Sequence, residues 1–140
     1  MIQLLSQTEA ERHGLAADQV VCVSPYLNPH HVLAPPLTWL YALVQGSYSW
    51  HFFRLRYKNL LRNRLRGEPD AFFALLDASE EGQSLYLTCH CLSDPCHREI
   101  AREFLEKLRE SDAYRQWRDL RPLNLAAMTP PAASAPAALR

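Results

Sequence analysis

Two short apolar segments predict β-strands. Residues 19–24 (Gln-Val-Val-Cys-Val-Ser) are rich in β-branched side chains, and Pro25 ends the segment. Residues 84–89 (Ser-Leu-Tyr-Leu-Thr-Cys) alternate leucine with other residues, as expected for a second strand. A third strand is expected within residues 1–10 or within residues 30–42.

Apolar residues at helical spacing predict a series of helices. One stripe runs from Phe53 through Tyr57 to Leu65 and includes Leu60 and Leu61. Before the last long amphipathic segment, Asp94 fits an N-cap and Pro95 the first helical position. The predicted helices therefore begin near residue 38 and cover about 49–66, 70–77, 95–110 and 113–120.

The order of these elements predicts a small three-layer α/β domain, with a mostly parallel sheet flanked by helices. Long stretches of chain separate the strands, which favours parallel pairing through crossover connections. A chain of 140 residues has room for one core, which we assign to residues 1–121. Residues 122–140 are rich in alanine and proline, and we expect them to form a disordered tail.

Composition narrows the range of functions. The formal net charge is zero and the pI is about 7.0, which is unlike a general nucleic-acid binder. Neither a membrane span nor a secretory signal is recognisable, so a cytoplasmic location is expected. Disulfides rarely persist in that compartment, which favours free, metal-bound or redox-active cysteines.

A basic segment lies between His51 and Gly67, with six Arg or Lys residues and no acid. Arg54, Lys58 and Arg62 recur every four residues and form a stripe of positive charge. We favour a solvated helix face here over a nucleic-acid surface, with one or two of Arg54, Arg56 and Lys58 reaching a ligand site, Arg54 first among them.

The highest concentration of reactive side chains lies between the second predicted strand and the helix that follows it. Three of the four cysteines and two of the six histidines fall within residues 89–97. Ligands of parallel sheets gather beyond the carboxyl ends of the strands, close to helix N-termini. Arg98 supplies a fixed positive charge for a phosphate or carboxylate, and His97 can donate to an anion or carry a proton. Pairing of Arg98 with Asp94 is the structural alternative.

Three interpretations of the cysteines compete. In the first, Cys91 or Cys96 is a thiolate nucleophile, although the six residues between Cys91 and Arg98 do not match the five of a phosphatase loop. In the second, Cys89, Cys91, Cys96 and His97 bind zinc, although structural zinc sites usually combine two separated pairs of ligands. In the third, the cysteines are small packing residues and only His97 and Arg98 touch a ligand.

The proline-rich loop after the first strand carries further candidates. Asn28 and His30 would lie beside His97 if the two predicted strands are parallel neighbours. An ordinary surface loop is an equally good interpretation of these residues.

The pattern Cys-His-Cys-x₄-Cys-His-Arg resembles that of a group of small bacterial and phage domains of unknown function. In that group an apolar strand ends in Cys-x-Cys, and Cys-His-Arg or Cys-His-Gly opens the next helix. The segment Phe53-Arg54-Leu55-Arg56-Tyr57 and the segment Ser-Pro-Tyr-Leu-Asn-Pro at residues 24–29 are also similar. The resemblance covers residues 19–110 and implies a compact α/β fold. It also implies a site formed by Asn28, Cys89, Cys91, Cys96, His97 and Arg98.

Together these patterns predict a domain that binds a small phosphorylated or nucleotide-like ligand through Asn28, His30, Arg54 and Arg98. In an enzyme, Cys91 or Cys96 would be the nucleophile and His97 the acid or base. No metal or cofactor is predicted, and no membrane partner. The alternatives are a zinc-binding or redox-active interaction module and a nucleic-acid accessory protein.

Overall fold

The computed structural model describes residues 2–15, 20–79, 84–89 and 96–128, with the backbone alone for Gln7 and residues 121–128. Three strands and six helices lie in these ranges. They are β1 (Ile2–Ser6), α1 (Gln7–His13), β2 (Val20–Cys22), α2 (Leu37–Val44), α3 (Trp50–Gly67), α4 (Pro69–Ala78), β3 (Leu85–Cys89), α5 (His97–Arg109) and α6 (Asp112–Met128).

The strands form one parallel sheet in the order β1-β3-β2. The predicted α/β class and parallel pairing are confirmed, and the third strand comes from the N-terminal segment. Residues 30–42 instead hold the end of the proline-rich loop and the start of α2. The β1–β2 and β2–β3 connections cross the sheet in opposite directions. Connections of the usual right-handed form would place α1 on one face and α2–α4 on the other.

The core lies between β3 and the helices α3, α4 and α5. Leu85 and Leu87 of the central strand are fully buried, as are Phe53 and Leu61 of α3. Burying one such side chain stabilises the fold by about 1.5–3 kcal/mol. The apolar stripe predicted for α3 therefore includes the residues by which this helix joins the core.

Helices α2 and α3 are separate because the backbone reverses between them. Gly46 adopts φ = +82°, a conformation in which a side chain would be strained. Ser49 then caps α3 by accepting a hydrogen bond from the N–H of Phe52 at 3.1 Å. The predicted start of a helix near Ser49 is thus correct.

Two helix boundaries differ from the prediction. Helix α5 begins at His97 with Cys96 at its N-cap, whereas Asp94 and Pro95 lie outside the described residues. Helix α6 continues through Pro122 to Met128, into the stretch predicted to be disordered. Leucine, alanine and methionine after Pro122 favour helix and offset part of the cost of about 3 kcal/mol that an interior proline imposes through its missing N–H and the clash of its ring with the preceding turn. Residues 129–140, the rest of the predicted tail, are outside the described ranges.

No helix in the described part of the chain is both long and apolar enough to cross a membrane.

Candidate functional site

Five of the predicted site residues lie where the strands end: Asn28, Cys89, Cys96, His97 and Arg98. Ser6 of β1 is paired with Cys89 of β3, and Cys22 of β2 is paired with Thr88. Helix α5 starts at the same edge, with Cys96 at its N-cap. The carboxyl edge of a parallel sheet and a helix start therefore coincide, as the sequence predicted.

The sulfur of Cys96 is the centre of this arrangement. Its Sγ lies 3.1 Å from Cys89 Sγ, which is hydrogen-bonding distance for a thiol and longer than a disulfide. Arg98 Nε donates to the same sulfur at 3.2 Å, and His97 Nδ1 lies 3.8 Å from it. A thiol, an imidazole and a guanidinium therefore surround one buried sulfur atom.

The hydrogen bond of His97 to the backbone defines its tautomer. His97 is only 1 % exposed, and its Nε2 lies 2.8 Å from the carbonyl oxygen of Val23. Because a carbonyl only accepts, Nε2 must carry the proton. In the neutral ring Nδ1 then holds a lone pair, on the side that faces Cys96. That lone pair can accept a thiol proton or bind a metal.

Arg98 connects the site to the first strand. Its Nη1 donates to the carbonyl oxygen of Leu5, near the end of β1. The carboxyl pKa of Glu9 is lowered, mainly by the hydrogen bond from Ser6 N–H. The positive charges of Arg12 and Arg98 make smaller contributions in the same direction. The guanidinium is therefore held in place beside the Cys96 sulfur.

The start of α5 also carries a negative group. Glu99 accepts a hydrogen bond from the N–H of Cys96 at 3.2 Å, which completes the helix cap. This carboxylate takes up one of the donors that an anion would use at the helix N-terminus.

Tyr57 of α3 forms one wall of the site. Its ring meets that of His97 edge-to-face, with the centroids 6.0 Å apart, and its hydroxyl donates to the carbonyl oxygen of Leu33. Burial raises the pKa of Tyr57 far above its ordinary value, and the neighbouring thiols of Cys96 and Cys89 act in the same direction. Tyr57 is thus a neutral hydrogen-bond donor.

Arg64, one residue of the basic segment, fixes the proline-rich loop. Its Nη1 donates to the carbonyl oxygens of Val32 at 2.7 Å and Ala34 at 2.6 Å. Burial lowers the pKa of this guanidinium, while Tyr57 opposes that effect. The loop after β2 is thereby tied to α3.

The loop residues predicted to bind ligand have different surroundings. Asn28 is half-buried, and its Nδ2 donates to the carbonyl oxygen of Cys22 at 3.4 Å, at the carboxyl end of β2. His30 is exposed, whereas the ring of the next residue, His31, folds inward and accepts from Leu33 N–H at 3.0 Å. Asn28 therefore lies at the correct edge of the sheet, and no described contact of His30 joins it to Cys96.

Arg54 and Lys58 bind another helix. Both donate to Glu103 Oε1 of α5, at 3.5 and 3.1 Å. Glu103 is six residues after His97, about 9 Å along the helix axis, so the structure places Arg54 away from the start of α5. Part of the positive stripe is compensated by this carboxylate, which weakens its support for nucleic-acid binding.

Cys91, the other predicted nucleophile, lies outside the described residues. Among the described cysteines, Cys22 is half-buried on β2, whereas Cys89 and Cys96 are buried together. Cys89, Cys96 and His97 form a group of metal-capable donors whose ligand atoms lie within 4.8 Å of one another.

Comparison of the chain with protein-family models, with curated proteins and with solved structures found no match. The resemblance to small bacterial and phage domains therefore stays a prediction from the motif.

Several contacts of the site have little or no signature in the sequence. The carbonyl groups of Leu5 and Val23 take part through their backbone, which no side-chain pattern reveals. Tyr57 does carry a signal, because a tyrosine on a buried helix stripe needs a partner for its hydroxyl.

Proposed function

We propose that this domain binds a small phosphorylated or nucleotide-like ligand at the edge of the sheet where Cys96, His97 and Arg98 meet. One observation carries the proposal: the Arg98 guanidinium is held beside the Cys96 sulfur, through Nε and Nη1, at the carboxyl edge of the sheet. A cation fixed in advance loses little conformational freedom when an anion binds.

The location supports the same proposal. Open parallel sheets bind ligands outside the carboxyl ends of their strands, and here β3 lies between β1 and β2 with α5 starting at its end. Asn28 at the end of β2 adds a polar group at that edge. A phosphate contacting Arg98 would lie within reach of the Cys96 sulfur.

The pair formed by Cys96 Sγ and His97 Nδ1 can perform two kinds of chemistry. In one, the imidazole takes the thiol proton and the thiolate attacks the phosphorus of a phosphate ester; the P–O bond to the leaving alcohol breaks, and the imidazolium returns the proton to that oxygen, leaving a phosphocysteine that water would hydrolyse. In the other, both atoms bind a metal ion, which would then act on the ligand. Ligand binding through Arg98 is common to both.

Thermal shift of purified protein with nucleotides, sugar phosphates and inorganic phosphate tests the proposal. At a ligand concentration of about 100 times Kd, binding stabilises the folded state by about 2.7 kcal/mol. We expect the Arg98→Ala variant to lose this ligand-dependent shift, measured against its own melting temperature. The control is Arg102→Ala, one turn later on α5, where the described contact of Arg102 is a surface pair with Glu106 at 3.9 Å.

Ligand stabilisation that survives both Arg98→Ala and His97→Ala would show that the ligand binds elsewhere. If none of these phosphorylated compounds shifted the native protein, the proposed ligand class would be wrong.

A further inference from the structure

We propose that Cys89, Cys96 and His97 bind one zinc ion through two sulfur atoms and Nδ1 of the imidazole. The inference deepens the proposed function, on which it rests for the identity of the anionic ligand. It assigns zinc to the same site, although the close spacing of the cysteines along the sequence argued against a zinc site. The fold answers that objection, since Cys89 at the strand end and Cys96 at the helix cap lie side by side.

The donor atoms suit zinc in type and in distance. Zinc takes Cys sulfur at about 2.3 Å and His nitrogen at about 2.0–2.1 Å, and tetrahedral angles then separate sulfur and nitrogen by roughly 3.6 Å. Cys96 Sγ and His97 Nδ1 are 3.8 Å apart. The two sulfur atoms, 3.1 Å apart, would have to separate to roughly 3.8 Å, a small side-chain adjustment.

The imidazole is already oriented as a metal ligand. Histidines that bind metals usually donate their other ring N–H to a carboxylate or a backbone carbonyl, which fixes the tautomer. His97 Nε2 is paired in this way with the carbonyl oxygen of Val23 at 2.8 Å. Nδ1 is therefore the nitrogen directed toward Cys96.

Charge and stoichiometry favour the same arrangement. Binding releases the two thiol protons, so two thiolates and a neutral imidazole hold Zn²⁺ in a centre of zero net charge. Arg98, donating to Cys96 Sγ at 3.2 Å, places one positive charge beside this centre. Cys89, Cys96 and His97 fill three positions of a tetrahedral ion, and among the described residues none supplies the fourth, which water or a phosphate oxygen would take.

Cobalt(II) titration of the reduced, metal-free full chain tests the site, since cobalt reports sulfur ligands and tetrahedral geometry through its absorption. We expect one equivalent to bind with a sulfur-to-cobalt charge-transfer band, and zinc to displace it. The band should weaken or vanish in Cys89→Ser, Cys96→Ser and His97→Gln, and persist in the matched control Cys22→Ser. His97→Gln retains a donor for Val23, so it separates loss of the ligand from loss of the fold.

Inorganic phosphate, added to the cobalt form, probes the open position. A change in the visible spectrum supports it, and an unchanged spectrum overturns it. Absence of cobalt and zinc binding by folded, reduced protein would overturn the metal site itself, as would a full charge-transfer band in both Cys89→Ser and Cys96→Ser.

The two proposals can fail separately. Zinc binding without a thermal shift from any of the nucleotides, sugar phosphates or inorganic phosphate would leave the metal site standing and refute the ligand class. A nucleotide-dependent shift of equal size in metal-free and zinc-loaded protein would refute the part of the metal in ligand binding.

Discussion

The hydrogen bond between His97 and Val23 should be a major source of local stability. Replacing His97 with alanine leaves the buried Val23 carbonyl without its donor, which costs about 1–3 kcal/mol. The truncated ring also leaves unfilled volume against Tyr57, so the total should approach the 3–5 kcal/mol or so of other aromatic-to-alanine changes in cores.

The matched variant is His97→Gln, whose amide nitrogen can occupy the position of Nε2. It should retain the bond to Val23 and lose about 1–2 kcal/mol through its different shape. For a domain of this size, each kcal/mol corresponds to about 2–4 °C in melting temperature.

Urea denaturation followed by circular dichroism measures both variants, with chelator and reductant present so that neither metal nor disulfide contributes. Equal unfolding free energies for His97→Ala and His97→Gln would refute the argument, because the bond to Val23 would then contribute nothing.

Two further predictions concern the loop after β2. Burial, with a smaller contribution from Arg64, lowers the pKa of His31 below its ordinary value of about 6.5, so folding favours the neutral ring. The contribution of neutral His31 to the free energy of unfolding is fully present above a pH of about 6.5 and is lost as the pH falls toward the lower pKa of the folded state. In urea titrations at a series of pH values, His31→Asn should remove this pH dependence. The control variant His30→Asn should retain it. Replacing Arg64 with methionine should lower the free energy of unfolding by about 1–3 kcal/mol, because the carbonyl oxygens of Val32 and Ala34 lose their donor. Arg62→Met, on the exposed face of α3, should lower it by less than about 0.5 kcal/mol. Equal losses for Arg64→Met and Arg62→Met, measured by the same denaturation, would contradict the assigned role of Arg64.

Hydrophobic pattern was a good guide to the elements of the fold. The strands around Val21 and Leu87, the start of α3 near Ser49 and the buried face of α3 follow from periodicity and local residue preferences. Pattern could not choose between two locations for the third strand. That choice depends on long-range pairing of β1 with β3, which leaves no local mark.

The sequence predicted where the candidate site lies, but only some of the contacts within it. The edge of the sheet and the group Cys96, His97 and Arg98 followed from the strand–helix order. From the sequence, Arg54 was predicted to bind the ligand, whereas its described contact is with Glu103 on α5. Long side chains can reach several neighbours, and the one that they contact is decided by the packing of the helices.

The strand order also dictates when this protein can fold during its synthesis. β1 and β2 are both complete early in the chain, yet neither contacts the other, because β3 separates them. Ile2 pairs with Leu85 and Val20 with Tyr86, so no hydrogen bond of the sheet can form before β3 has been synthesised. Helices α3 and α4 can form on the ribosome beforehand, but the core residues Leu85 and Leu87 are not there for the apolar face of α3 to pack with until β3 emerges. The nascent chain therefore exposes that face while the 17 residues between Gly67 and Leu85, and then β3 itself, are added, a period in which chaperones would have access to it.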